Sequence, residues 1–180
     1  MPNHILFIPE CHLDKTLALV VLMGRQELVE KKNGISQVGA KMKEAYARYG
    51  DSHRFVGLVD KDKKFFHNEY LATFQPDATQ PPIASAGFWL RRHPATPAQA
   101  LILLDPGIEA WVLAAARACQ LDPAAYKLPD TPELLRDYTK NRNVHDNKDV
   151  IGFLIEIRRR RPEPYQHLAN CVSRLMAESN

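Results

Sequence analysis

Apolar and polar positions along this chain switch between two periods, and the switches lay out an α/β fold. The run Ile5-Leu6-Phe7-Ile8 is continuously apolar and predicts a buried strand over residues 4–8. Residues 15–23 are apolar almost all round, which predicts a buried helix, with Asp14 placed to cap it. Residues 25–32 are charged, and a short strand is one reading of them. Asn33-Gly34 marks a turn. Ile35, Val38, Met42, Tyr46 and Tyr49 then recur at helical spacing, with Lys41, Lys43, Glu44 and Arg48 mostly on the other face. That pattern predicts an amphipathic helix over 35–49. A second apolar run, Phe55 to Val59, predicts a strand over 54–59.

Residues 65–86 have weak periodicity and carry Asp77, Thr79, Pro81 and Pro82, so an irregular excursion is expected. Two further strands are expected at 87–91 and 99–104, split by a turn from Pro94 to Pro97. Asp105-Pro106-Gly107 opens a helix, with Asp105 as N-cap, Pro106 in the first turn, and an apolar face from Ile108, Trp111, Val112 and Ala115. Thr131-Pro132-Glu133 is another cap-plus-proline start, and helices are expected near 131–139, 147–160 and 164–177. The chain of 180 residues fits one domain. The expected architecture is a Rossmann-like, mainly parallel sheet flanked by helices over residues 1–105. A helical segment, 106–180, packs on that core in a single compact unit.

Both strong strands end in carboxylates. Glu10 and Asp14 follow the first, and Asp60 and Asp62 follow the second. Ligands of open α/β sheets bind at the carboxyl ends of strands. Carboxylates gathered there suit a hard cation, Mg²⁺ or Mn²⁺. Such a cation stabilises the charge of a phosphodiester transition state. Asp60 and Asp62 can point towards one site, and Glu10 can complete it or move a proton. The plainer reading makes Asp60-Lys61-Asp62-Lys63 a solvated turn and Glu10 a helix-start acid. Asp14 and Glu109 are further candidate ligands, and each also reads as a favourable acid at a helix start.

Charge and cysteine usage narrow the classes. A net charge of +3 does not by itself imply nucleic acid, but the cations cluster. Lys61, Lys63 and Lys64, interleaved with Phe65, Phe66 and Tyr70, read either as a single-strand binding surface or as core aromatics beside exposed lysines. Arg91 and Arg92 are candidate phosphate contacts, while Arg158 to Arg161 read as a solvated helix end. Cys11, Cys119 and Cys171 form no CxxC pair, which disfavours a zinc ribbon or a thioredoxin-like motif. No secretory leader and no apolar stretch of membrane-spanning length stand out, so the expected compartment is the cytoplasm.

The order of these acids, Glu10 after the first strand and Asp60-x-Asp62 after a later one, resembles the TOPRIM (topoisomerase–primase) domain. In that family the Asp-x-Asp pair follows the third conserved strand, and the helix before that strand matches 35–49. An acid four positions after the glutamate is common there, as Asp14 is here. The resemblance covers roughly residues 4–105. The chain departs from it at Cys11, where the family usually has glycine. Pro106-Gly107-Ile108-Glu109-Ala110-Trp111 is similar to a helix start in uncharacterised TOPRIM-like proteins of bacterial defence and mobile elements. The resemblance implies a Mg²⁺-dependent nuclease acting on DNA or RNA. The alternative is a non-catalytic TOPRIM-like module that binds nucleic acid or a partner protein. A weaker alternative is a phosphohydrolase of the haloacid-dehalogenase type, whose Asp-x-Asp normally follows the first strand. Topoisomerase and primase chemistry usually need further domains.

Overall fold

The computed structural model of the chain describes residues 4–61, 63–79, 83–140 and 144–178. In chain order its elements are β1 (His4–Pro9), α1 (His12–Val21), α2 (Ile35–Tyr49), β2 (His53–Asp60), α3 (Lys63–His67), β3 (Gln75–Pro76), β4 (Phe88–Arg92), β5 (Gln99–Leu104), α4 (Ile108–Ala118), α5 (Pro132–Thr139), α6 (Lys148–Arg160) and α7 (Glu163–Ala177). The fold is mixed α/β, with an open sheet of order β1-β2-β5-β4-β3. β1, β2 and β5 lie side by side and parallel, as three apolar runs linked by long crossovers require. β4 and β3 run antiparallel on the far edge.

Helices cover both faces of the sheet. On one face Phe7, Val56, Leu58, Ile102 and Leu104 pack with side chains of α1, α4, α6 and α7. On the other, Ile8, Phe55, Val59, Leu101 and Leu103 pack with Val38 and Met42 of α2 and Phe65 of α3. α2 lies close on β2 because Gly57 has no side chain: a Cβ there would stand 2.8 Å from both Leu101 Cδ1 and Met42 Sδ. Among the described residues no helix is long and apolar enough to cross a membrane.

The charged stretch 25–32 makes a 3₁₀ turn at Gln26–Leu28 and then pairs with the outer edge of β1. Val29 bridges Phe7 in the parallel sense, and the N–H groups of Glu30 and Lys32 each donate at 2.9 Å to the carbonyls of Phe7 and Pro9. The excursion after β2 is more ordered than its periodicity suggests, since it contains α3 and β3. Two helix starts differ from expectation. Cys11, not Asp14, caps α1: its Sγ accepts the Asp14 N–H at 3.4 Å, and Asp14 Oδ2 accepts the Cys11 N–H at 3.0 Å. That reciprocal box starts the helix at His12. α4 starts through Gly107, and Asp105 turns away from it.

The arginine run at the end of α6 holds other helices in place. Arg158 donates to the Val20 carbonyl at 3.2 Å, and Arg160 to the Cys119 carbonyl at 2.9 Å, so cations meet the carboxyl ends of α1 and α4. A second network ties the end of α7 to the sheet. Arg92 Nε contacts Asp77 Oδ2 at 2.9 Å, and its terminal nitrogen contacts both Glu178 oxygens at 2.9 and 2.8 Å.

Asp77 is buried in that network. Burial opposes its charge, but hydrogen bonds from Thr79 and Arg92 outweigh this and hold its pKa below the ordinary 3.8. A depressed carboxyl pKa contributes stability that is complete above the unfolded value and is lost as pH falls through the folded one. Asp77→Ala should cost roughly 1–3 kcal/mol at neutral pH, because it removes the buried acceptor shared by Arg92 and Thr79, although Arg92 keeps Glu178. Asp137→Ala, at an exposed pair, should leave the urea midpoint unchanged. Equal midpoints for wild type and Asp77→Ala would contradict the reading. So would a stability difference that persists undiminished at pH 2.

Candidate functional site

The register of the sheet brings three strand ends together. Pro9 pairs with Leu58, and Asp60 pairs with Leu104, so Glu10, Asp60 and Asp105 all stand at the carboxyl ends of β1, β2 and β5. The Glu10 N–H continues the ladder by donating to the Leu58 carbonyl at 3.0 Å. In return, Glu10 Oε2 accepts the Asp60 N–H at 3.3 Å. Asp60 Oδ1 accepts the Ile108 N–H at 2.8 Å, in the first turn of α4. The positive end of that helix favours an ionised carboxylate. Glycine at 107 permits the approach: a Cβ there would lie 3.2 Å from Asp60 Oδ2.

Asp14 enters from the first turn of α1 and is wholly buried. One oxygen completes the capping box, but Oδ1 has no hydrogen-bond partner among the described residues. Its pKa is pushed well above the ordinary carboxylate range, first by burial and then by repulsion from Asp60, with Glu10 adding to it against a lowering contact from Cys11. Asp14 thus lies within reach of the charges of both Asp60 and Glu10. The Cys11 thiol is also pushed well up, by burial and then by Asp14 and Asp60, so it is not poised as a thiolate nucleophile.

These residues fit a divalent cation in their chemistry. Glu10, Asp14 and Asp60 are hard oxygen donors, and the repulsion that Asp60 and Glu10 exert on Asp14, with its orphaned oxygen, is what a bound cation would relieve. As they stand, no three His, Cys, Asp or Glu side chains among the described residues are close enough to hold a metal ion. Asp62 lies outside the described residues, so its expected share in the site rests on sequence alone.

The remaining candidates fall elsewhere. Glu109 is buried, but it faces α5, where Arg136 Nε is 3.9 Å away; burial raises its pKa, and Arg136 and Lys140 lower it in part. Lys61 does stand at the strand ends, with its ammonium 2.6 Å from Asp105 Oδ2 and over the Trp89 ring at 5.1 Å. The Trp89 indole N–H donates to the same Asp105 oxygen at 2.9 Å. Lys63 and Lys64 begin α3, and their side chains lie outside the described residues. Arg91 and Arg92, read as candidate phosphate contacts near a strand end, lie away from the carboxylates, Arg92 the farther of the two. β4 runs antiparallel, so Phe88 pairs with Leu104 while Arg91 and Arg92 pair with Leu101 and Ala100. Arg92 is moreover bound to Asp77 and Glu178.

The Asp105–Lys61–Trp89 assembly and the Gly107–Ile108 cradle were missed from the sequence. The signal for Asp105 was present, since it ends an apolar run as Asp60 does. The Asp-Pro-Gly sequence suggested a helix cap instead. Comparison with protein-family models, with curated proteins and with solved structures gives no match for this chain.

Asp14 yields a test that needs no substrate. When a carboxyl pKa is raised by folding, the unfolded chain ionises first, and stability falls as pH rises from 3.8 towards the folded value. Asp14→Asn removes that loss and keeps an oxygen for the Cys11 N–H. The variant should be more stable than wild type at pH 8 in urea, and flatter with pH. Mn²⁺ should raise the melting temperature of wild type more than that of the variant. A variant less stable than wild type at pH 8, with the same Mn²⁺ shift, would show that Asp14 neither carries this strain nor meets a cation.

Proposed function

We propose that the chain is a TOPRIM-like, divalent-cation-dependent nuclease that hydrolyses phosphodiester bonds in DNA or RNA. The observation that carries the reading is the unpartnered, buried Asp14 oxygen beside Glu10 and Asp60 at adjoining strand ends. The order of elements supports it as well. Counting the Val29 pairing as an edge element makes β2 the third parallel segment in chain order, where the resemblance asks for Asp-x-Asp.

Bound Mg²⁺ or Mn²⁺ would supply charge stabilisation to the phosphoryl oxygens. The chain's own residues do the rest. Glu10, Asp60 and Asp14 would hold the cation, with Asp62 completing the set. The Ile108 N–H fixes the Asp60 carboxylate in orientation. Glu10, whose Oε2 is steadied by the Asp60 N–H, is placed to take the proton of an attacking water. Lys61 leans on Asp105 at the rim, where a phosphate can compete for its ammonium. A second reading is a non-catalytic module that binds nucleic acid or a protein partner. It is favoured by Cys11 in the glycine position and by the lack of a ready three-donor group among the described residues.

Cleavage assays with single strands, duplexes and structured RNA, in Mg²⁺ or Mn²⁺, separate the two. The nuclease reading expects nicking or cleavage that falls at least ~10²-fold in Asp60→Asn and in Glu10→Gln. Inactivity on every substrate with nucleic-acid binding retained selects the module. Activity that survives in the double variant places the chemistry at another site.

A further inference from the structure

Aromatic and cationic side chains line one sheet face that begins at the strand ends with Lys61 and Trp89 and runs away from them to Arg91. Trp89 and Arg91 are two apart on β4, so they share a sheet face, the one covered by α2 and α3. The Lys61 ammonium stands over the Trp89 ring, and the Arg91 guanidinium stands 5.8 Å from the Phe65 ring. Phe65 is buried, and the next residue, Phe66, packs against its edge at 5.3 Å while exposing 63% of its own surface. Phe66 is thus a large apolar ring held out to solvent by a core residue. It sits six positions after Asp60, at the start of the segment leaving the carboxyl end of β2. Arg91 donates to the Phe74 carbonyl at 2.7 Å and, unlike Arg92, has no carboxylate partner within salt-bridge range among the described residues. Among the described residues Asp105, bound to Lys61 and Trp89, borders this surface, and the exposed Glu69 lies three positions after Phe66.

We infer that this face binds single-stranded nucleic acid, with Phe66 as a platform for an unpaired base and Trp89, Lys61 and Arg91 beside it along the strand. The inference rests on the nuclease reading and sharpens its substrate to the single strand. Three features choose this occupant. Aromatic rings with interleaved cations suit bases and phosphates together, whereas a duplex hides its base faces. Lys61 joins the surface directly to the strand ends where Asp60 stands. The chain's mild net charge leaves stacking, more than bulk attraction, to hold a polyanion.

The test is binding in EDTA, so that no cleavage intervenes. Labelled oligo(dT), a hairpin duplex and an abasic strand of the same length are titrated with the full chain. Trp111 is buried, so quenching of tryptophan fluorescence by oligo(dT) should come from Trp89 and vanish in Trp89→Phe. Phe66→Ala should weaken oligo(dT) binding about 5- to 100-fold and leave the abasic strand unchanged. Phe66→Trp should restore it. Circular dichroism of Phe66→Ala confirms the fold, which an exposed side chain should not disturb. If Phe66→Ala binds oligo(dT) like wild type, or if the abasic strand binds as tightly as oligo(dT), the inference fails and the nuclease reading stands. If no nucleic acid binds in EDTA, the inference fails, and the cleavage assay with Mg²⁺ or Mn²⁺ decides the nuclease reading separately.

Discussion

The hydrogen bond from the Ile108 N–H to the Asp60 carboxylate is the contact on which the strand ends depend. It joins the end of β2 to the start of α4 and fixes where that helix begins. From there α4 carries Trp111 beneath the entry to β4, where the indole donates to the Ala86 carbonyl at 2.9 Å. The fit is close: a Cβ at Gly87 would stand 2.9 Å from Trp111, and Gly87 has φ +66°, a backbone region glycine occupies without strain. Two glycines therefore make one path, Gly107 for the carboxylate and Gly87 for the indole. A helix dipole stabilises a carboxylate, and the carboxylate aligns the helix with the sheet.

Asp14 is the counterweight. A wholly buried carboxyl with an unpartnered oxygen costs free energy that a sequence selected only for stability would shed. The capping box accounts for one of its oxygens and not for the other. Local rules broken without local compensation tend to mark a functional position. Cys11 bears on the same point. The turn after β1 does not need glycine, because Cys11 sits at φ −126° and ψ −179°, extended backbone that any residue adopts. What the cysteine changes is chemical: it places a thiol, held in the box with Asp14, where a glycine would leave the space open.

The fold was legible where one physical signal dominated. Ile35 to Tyr49 form α2 as expected, since amphipathic periodicity there has no competitor. The parallel core was legible because buried strands need unbroken apolar runs. The direction of β4 was not. Nothing in Phe88 to Arg92 distinguishes a parallel strand from an antiparallel one, and that direction decides which end of the sheet the two arginines occupy. The site was half legible. Glu10 and Asp60 announced themselves by ending strands. The Ile108 N–H, a backbone group, leaves no mark in a side-chain pattern. Asp105 was misassigned because a local cap and a long-range partner look alike until Lys61 is placed beside it.

The same placement decides what the cations are for. Arg158 and Arg160 donate to helix-end carbonyls, and Arg92 is bound to Asp77 and Glu178. Lys32 and Lys41 share Glu30 on the outer side of β1. These cations thus serve contacts within the fold. Attraction that is spent on internal carboxylates and carbonyls cannot also gather a polyanion from solution. On the proposed reading, recognition at the strand ends would come from a few groups at short range. Those are the carboxylates with whatever cation they hold, the Lys61 ammonium shared with Asp105, and the rings of Trp89 and Phe66. Such a surface would discriminate by shape and stacking, so on that reading the exposed Phe66, six positions after Asp60 in the chain, matters more than the lysine count of the segment that bears it.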